Sequence, residues 1–537
     1  MSASVSNGYV FMAKSGSGLG AKAAGTIYPL FIGNALGVLL AAFKIIIATR
    51  LLGAALFGVY VFIVSYYTLI GSVTDFGISS YFKKYVAELN YKKDGKSMQK
   101  VLSAGFASVA LVSLLLALLG ILLSGYVASV FGSTIGVTQA LLELGSLILF
   151  STIMYGAVAG ILIGLGRGTD FSIAYLAYMV SDLTITAYTL LNGYGIVGIL
   201  LGTLIGSIIG LVVALYYINR YLSQYMDFCP WYPKVPDVKK ALGFSYPLAI
   251  YNFFTNSMQN FSVILLGFFV SETVIGNYGT ALKGLSVLLV FYGSVVAVML
   301  PTFSEAARKS VKRAYSEGVF NASILYSVFV TFPVLLFFAV FSKSLIYILI
   351  GSSYTLAPFY LTLIAIGTIM GLVGFFSGSM LIARGFTKKI LKYGALSSLL
   401  QFASMLLLVP YFGVVGAIVG IFFIGSVANS VFFTFAVSSM LKIRVDLAKL
   451  SRLSIANIGA AVLMLIALLA TSSMAIEIIA GVAILVIAYP AFVVISKAMD
   501  SKEIEYFRTS TSSLALAGPV IGAVCDYMAA VGEKIGY

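Results

Sequence analysis

Apolar residues along this chain gather in long unbroken runs, and the runs recur at the length a helix needs to cross hydrocarbon, about 20 residues. They lie near 26–49, 57–79, 101–124, 137–163, 171–192, 195–218, 241–268, 277–304, 318–341, 355–383, 393–410, 413–440, 453–472 and 475–496. Hydrocarbon offers the backbone no hydrogen-bond partner, so each run is predicted to be a helix that satisfies its own amides and carbonyls. The expected fold is an all-α integral membrane protein of about 14 transmembrane helices.

The pattern is written twice. Gly25, Tyr28, Pro29, Leu30, Ile32 and Asn34 return 218 positions later as Gly243, Tyr246, Pro247, Leu248, Ile250 and Asn252. The same shift carries Phe43 and Ile46 onto Phe261 and Ile264, Gly58 and Tyr60 onto Gly276 and Tyr278, and Gly195, Gly198 and Gly202 onto Gly413, Gly416 and Gly420. One shift holding in separate blocks marks a tandem duplication. Each copy carries six spans, an even number, so both copies start on the same side and the repeat is parallel rather than inverted.

The chain therefore divides into a flexible cytoplasmic N-terminus at 1–23, an N-lobe of spans 1–6 at 24–241, a C-lobe of spans 7–12 at 242–452, two extra helices at 453–496, and a cytoplasmic tail at 497–537. In the tail, Val520, Ala523, Val524, Tyr527, Met528 and Val531 recur at helical spacing beside Asp526, Glu533 and Lys534, which predicts a short helix on the inner surface. Pro519 interrupts the apolar stretch there, so no fifteenth span is expected.

Composition narrows the function. With 61% apolar residues, 9% charged residues and no histidine, the chain lacks the polar surface to cover a soluble globule of 537 residues. With the N-terminus inside, 29 of the 33 lysines and arginines fall on the cytoplasmic side, so both termini are expected there, in the cell membrane. The net charge of +15 is then a positive-inside bias beside anionic lipid and calls for no nucleic acid. Cys229 and Cys525 are far apart and have no metal-ligand company. No P-loop, paired carboxylates or imidazole is present, so neither an enzyme nor a cofactor or metal is expected.

Ionisable groups inside spans are costly unless they meet a partner or a wet cavity. Lys44 lies in span 1 and Lys283 in span 8, with Arg50 at the end of span 1; each either snorkels to the headgroups or serves a cavity. Asp182, mid-way along span 5, is too short to snorkel and calls for a buried partner or the cavity. Asp75, near the inner end of span 2, is either tied to inner-loop lysines or involved in coupling. Asn252, Thr255, Asn256, Gln259 and Asn260 crowd span 7, a face expected to meet water, substrate or the other half. Gly198, Gly202, Gly206 and Gly210 recur every four residues along span 6, as close static helix packing requires. Pro29 and Pro247 are expected in the first turns of spans 1 and 7, where proline is tolerated.

Three ordered segments, Thr49-Arg50-Leu51-Leu52-Gly53, Phe57-Gly58-Val59-Tyr60 and Asp75-Phe76-Gly77, resemble the span 1–2 pattern of the polysaccharide flippases in the multidrug/oligosaccharidyl-lipid/polysaccharide exporter superfamily. Phe244-Ser245-Tyr246-Pro247-Leu248, Ile275-Gly276-Asn277-Tyr278 and Leu300-Pro301 are similar to its second-half pattern, and the likeness covers about residues 20–500. The resemblance implies two six-helix lobes with two additional helices, and alternating access that moves a lipid-linked saccharide between leaflets. Arg50 and Asp75 stand at motif positions; Lys44 and Lys283 are nominated on physical grounds. Span 1 carries Lys44 where drug exporters of the superfamily often bear a carboxylate.

The function expected is a flippase for a polyprenyl-diphosphate-linked oligosaccharide. Lys44, Arg50 and Lys283 would hold the diphosphate, Asn252, Asn256 and Gln259 the sugar hydroxyls, and Asp75 and Asp182 a coupling or cavity-structural role. Membrane lipids and saccharide-assembly enzymes are its expected partners. A cation-coupled small-molecule exporter is the alternative, predicting a carboxylate-rich pocket. A membrane-embedded glycosyltransferase or polymerase is the second, disfavoured by connections as short as Asn192–Gly195 and Pro410–Gly413.

Overall fold

The computed structural model describes residues 19–72, 78–223, 238–239, 253–254, 257–286, 313–384, 386–511 and 518–535. Every regular element among them is helical. Ten helices of the described residues are long and apolar enough to cross a membrane. Three of these, Ile32–Gly71, Gly95–Ile135 and Lys389–Leu441, are far longer than one crossing needs. The first and the last are each broken at a glycine with positive φ, Gly53 and Gly413, so each of those two is a pair of spans, whereas Gly95–Ile135 is one continuous helix. Residues 257–266 and 272–286 flank a turn at 267–271 and fit two further spans, which makes the architecture compatible with fourteen.

The helices are α1 (Leu19–Gly71), α2 (Ile78–Lys92), α3 (Gly95–Ile135), α4 (Gln139–Gly164), α5 (Gly168–Leu191), α6 (Gly195–Leu222), α7 (Ser257–Leu266) and α8 (272–286). They continue as α9 (Arg313–Val340), α10 (Ser342–Leu349), α11 (Ala357–Ala383), α12 (Thr387–Ile418), α13 (Ser426–Leu441), α14 (Leu447–Ala470), α15 (Met474–Ala483), α16 (Tyr489–Ile495), α17 (Ser501–Thr511) and α18 (Gly518–Ile535). Pro29 lies inside α1 rather than at its start, because the helix already begins at Leu19.

The duplication is visible in backbone geometry. Gly195 opens α6 with φ 56°, and its repeat partner Gly413 breaks α12 with φ 53°. Both hairpins need a residue free to take a left-handed conformation, which glycine adopts without steric cost. The repeat also appears as a contact between the copies. A Cβ built on Gly58 would lie 1.8 Å from the Glu272 carbonyl oxygen, and one on Gly276 would lie 1.9 Å from that of Ala54. Shifting Ala54 and Gly58 by 218 gives Glu272 and Gly276, so the two contacts are one contact seen from either copy. Val61 lies against Gly279 at the same shift. Residues meeting at a near-constant difference belong to parallel helices, so this part of α1 and α8 run in the same direction.

Compact units and repeat copies divide the chain differently. One unit comprises residues 17–280 with 405–417. Here α7 and the first turns of α8 pack on the first copy: the Ser257 hydroxyl donates to Ser72 Oγ at 2.8 Å, and Phe62 and Phe131 close over Gly267. The core of its α2–α6 part is aromatic and aliphatic, built on Tyr81, Phe82, Leu102, Val158, Ile161 and Ile218.

The other unit comprises residues 281–404 and 418–537. Gly481 lets α15 approach Phe337 and Phe341, and Met464 of α14 completes that cluster. The tail is docked: Asp500 and Glu503 form a capping box, with Glu503 N–H to Asp500 Oδ1 at 2.8 Å and Asp500 N–H to Glu503 Oε2 at 3.0 Å. Lys449 of α14 reaches Glu503 at 2.5 Å, and Arg508 reaches Asp526 of α18 at 3.0 Å. The amphipathic stretch forms α18, with Cys525 and Met528 turned inward. Pro519 sits in its first turn, where a missing amide costs no helical hydrogen bond.

Candidate functional site

Three helices of the first copy bring their polar residues to one place, and glycines decide where. Ideal Cβ atoms on Gly33 and Gly37 would touch Ser172 and Tyr175, a difference near 138 that makes the first arm of α1 parallel to α5. Extending that difference places Lys44 beside Asp182. On the other side of α5, Gly198 meets Thr189, Gly202 meets Thr186, Gly206 meets Asp182 and Gly210 meets Tyr178. The near-constant sum of these pairs marks antiparallel helices packed over four turns. The stripe of glycines works as close packing, and that closeness carries the Asp182 side chain to the opposing helices.

Lys44 Nζ lies 2.7 Å from Asp182 Oδ1 and 2.8 Å from Oδ2, and it donates to Thr203 Oγ1 of α6 at 2.7 Å. The Thr186 hydroxyl, one turn beyond Asp182, donates to Oδ1 at 3.3 Å. Lys44 and Asp182 are only 6% and 5% exposed, so the charges have left solvent and depend on each other. A second polar contact, Ser151 with Ser207 at 2.7 Å, ties α4 to the same α6. The phenols of Tyr60, Tyr67 and Tyr178 lie within electrostatic range of Asp182. Tyr155 packs edge-on against Tyr178, and its buried hydroxyl has no hydrogen-bond partner among the described residues.

Of the ionisable residues singled out in the sequence, the structure joins Lys44 and Asp182. The Lys44 charge, expected either at the headgroups or facing a cavity, is engaged by Asp182 within the helix packing. Arg50 is exposed at the end of the first arm of α1, and Lys283 is half-buried in α8. Gln259 is exposed on α7, whereas Ser257 and Ser262 of the same helix are buried, Ser262 against the Tyr278 hydroxyl at 3.1 Å. Asp75, Asn252, Thr255 and Asn256 lie outside the described residues. Thr186 and Thr203 were missed, although a signal was present: Thr186 stands four residues after Asp182, and Thr203 and Ser207 are interleaved with the glycines of α6. Among the described residues, no group of three His, Cys, Asp or Glu side chains is placed to hold a metal ion.

Residues 23–307 match the family described as polysaccharide biosynthesis protein. A probable low-salt glycan biosynthesis flippase, Agl15 of Haloferax volcanii, is 27% identical over 157 residues, covering 29% of this chain and 33% of the relative. An uncharacterized membrane protein of Methanocaldococcus jannaschii is 30% identical over 158 residues, covering 29% of this chain and 30% of the relative. The matched stretch thus spans about a third of the length of these curated relatives. Among solved structures, the lipid II flippase MurJ in an inward closed conformation superposes with a TM-score of 0.68 at 16% identity, over 87% of this chain and 98% of its own. An inward-facing multidrug resistance MATE family transporter of the MOP superfamily gives 0.60 at 17% identity, over 76% and 95%. At such identities the likeness is one of fold.

Proposed function

Because the chain belongs to the polysaccharide biosynthesis protein family, we propose that it is a flippase that carries a lipid-linked oligosaccharide of the polyprenyl diphosphate type across the cell membrane by alternating access. The observation that carries this reading is the polar interior of the first copy. Lys44, Asp182, Thr186, Thr203, Ser151 and Ser207 are all buried inside apolar helices yet satisfied by one another. At rest these groups are closed on one another; parting the helices that carry them would expose a polar lining suited to a hydrated head group, while a lipid tail needs only the hydrocarbon outside. The name of the Haloferax relative, a glycan biosynthesis flippase, supports the same cargo class.

Within this reading, Arg50 and Lys283 are each assigned to contact phosphate, and Gln259, with Asn252 and Asn256, to contact sugar hydroxyls. Lys44 reaches a phosphate only by exchange, since Asp182 and Thr203 already coordinate its ammonium. Asp182 then has a cavity-structural role at rest and becomes the group left behind when Lys44 moves. Both termini are assigned to the cytoplasm, in keeping with the distribution of lysine and arginine.

Proteoliposomes settle the cargo. A fluorescent polyprenyl diphosphate oligosaccharide placed in both leaflets is bleached from outside by an impermeant reductant; with the protein present the bleached fraction rises from about half toward completeness. Efflux of a cationic dye with no effect on the lipid-linked sugar would replace the reading by the exporter alternative.

A further inference from the structure

We propose that three lysines held in a left-handed backbone, Lys93, Lys442 and Lys497, are anchors for the headgroups of anionic phospholipid in the cytoplasmic leaflet. Their φ angles are 53°, 54° and 54°, and among the described residues they are the only non-glycine residues with positive φ. A side chain in that conformation crowds its Cβ against the following carbonyl, a cost that glycine escapes. Helix ends of this shape are therefore usually closed by glycine. Here lysine closes three of them, and each of the three is exposed.

The turns themselves do not call for lysine. After α2, Lys93 N–H donates to the Asn90 carbonyl at 3.3 Å and Asp94 N–H to that of Leu89 at 3.2 Å. After α16, Lys497 N–H donates to the Val494 carbonyl at 3.0 Å and Ala498 N–H to that of Val493 at 3.1 Å. All four are backbone bonds, which persist with glycine in place of the lysine. The helix dipole does not explain the choice either, because a lysine within the last turn, in helical backbone, meets the same partial charge without strain.

Position separates the two solutions. Among the described residues, six of the seven positive-φ glycines, Gly53, Gly136, Gly193, Gly195, Gly351 and Gly413, follow odd-numbered spans, whose ends the distribution of lysine and arginine assigns to the outside. The three lysines follow spans 2, 12 and 14, at ends assigned to the cytoplasm, and the seventh glycine, Gly166, follows span 4 and is joined to Arg167. Lys442 and Lys497 stand directly beyond the ends of spans 12 and 14, and Lys93 precedes span 3 by about two turns of α3. Each has a second cation close by. Lys96 follows Lys93, Arg444 follows Lys442, and the Arg452 guanidinium donates to the Lys497 carbonyl at 3.4 Å. The neighbouring carboxylates are turned to backbone amides: Asp94 accepts from Ser97 at 3.0 Å, Glu317 from Arg444 at 3.1 Å and Asp500 from Glu503 at 2.8 Å. Cations grouped at headgroup depth, and kept there at a cost to the backbone, suit a phosphate-bearing anionic headgroup.

The inference rests on the cytoplasmic assignment made above and is independent of the cargo. Its test compares thermal melting of the full chain in nanodiscs of phosphatidylcholine and in nanodiscs that also contain phosphatidylglycerol. One variant combines Lys93→Gly, Lys442→Gly and Lys497→Gly. A second combines Lys84→Gln, Lys389→Gln and Lys534→Gln, at exposed lysines within helices, and so loses the same charge. The glycine variant is expected to melt above the wild type in phosphatidylcholine, because strain is relieved, and to lose at least about half of the wild type's gain from phosphatidylglycerol. The glutamine variant keeps most of that gain. Equal losses in the two variants overturn the proposal, since the gain then belongs to total charge. So does a glycine variant that melts below the wild type in phosphatidylcholine, which would show the lysines holding the fold without lipid. If inorganic phosphate at matched ionic strength reproduces the gain in phosphatidylcholine, the ligand is a free anion and the lipid assignment falls. Failure of the lipid-linked sugar assay leaves the melting result standing, so the two readings fall separately.

Discussion

Lys44 and Asp182 hold one another inside the membrane-spanning bundle, the ammonium 2.7 and 2.8 Å from the two carboxylate oxygens. Removing one member leaves the other charged, buried and unpaired. Breaking a buried pair from one side costs about 3–5 kcal/mol, whereas replacing both with apolar residues of similar volume is often neutral. Lys44→Ala is therefore expected to lower the thermal unfolding temperature sharply in detergent, and Lys44→Met with Asp182→Leu to recover most of it. Transport separates the remaining roles. A recovered double variant that still flips substrate shows the pair to be structural, while a stable but inactive one assigns Lys44 to the substrate.

The glycines of α6 predict an asymmetry of their own. A Cβ on Gly206 would lie 2.9 Å from the Asp182 Cβ and 3.0 Å from its backbone nitrogen, so α5 must move to admit it. Overpacking of this sort costs about 1–3 kcal/mol. Gly206→Val is expected to destabilise by that order, and Gly156→Val, facing open space, by much less. Equal losses in a paired melting experiment would remove the close-packing account of the stripe.

The position of α7 against the second arm of α1 is open to a chemical test. Ser257 and Ser72 touch through their hydroxyls at 2.8 Å, 185 residues apart in sequence. Their replacement by cysteine, in a background without Cys229 and Cys525, is expected to give a disulfide under mild oxidation. A protease cut between them would leave the two fragments joined until a reductant is added. Rapid maleimide modification of both thiols, with no cross-link, would place α7 elsewhere.

Much of this architecture was legible because hydrocarbon imposes so simple a rule. Twenty apolar residues make a helix, and a repeated shift of 218 announces two copies. The parallel sense of the repeat followed from span counting and appears physically at Gly58 and Gly276. Sequence could place Lys44 and Asp182 at costly depths but could not say that they cancel. That depends on which faces of α1, α5 and α6 meet, a matter of helix rotation decided by Gly33, Gly37 and the α6 glycines together. Compact units were hidden for a similar reason. A repeat border is a feature of ancestry, whereas the attachment of α7 to α1 arises from contacts such as Ser257 with Ser72 that share no local pattern.

Cys525 offers a reporter for the docked tail. It sits buried on α18, and burial, with Asp526 beside it, pushes the thiol up to about 11 against a smaller opposing effect from Arg508. Compared with an ordinary cysteine, the reactive thiolate at neutral pH is then depleted by about a hundredfold. In a Cys229→Ser background, maleimide should modify Cys525 slowly at pH 7 and faster as pH rises, because each step toward about 11 increases the thiolate fraction. Arg508 joins α17 to α18 through Asp526 at 3.0 Å, but both partners are substantially exposed, so this bridge contributes little by itself. Met528, buried on the same face as Cys525, contributes more. Met528→Lys is expected to undock α18 and accelerate labelling at pH 7 by at least tenfold, whereas Arg508→Ala should change it by less than threefold. If Arg508→Ala has the larger effect, the tail is held by its charges rather than by its apolar face.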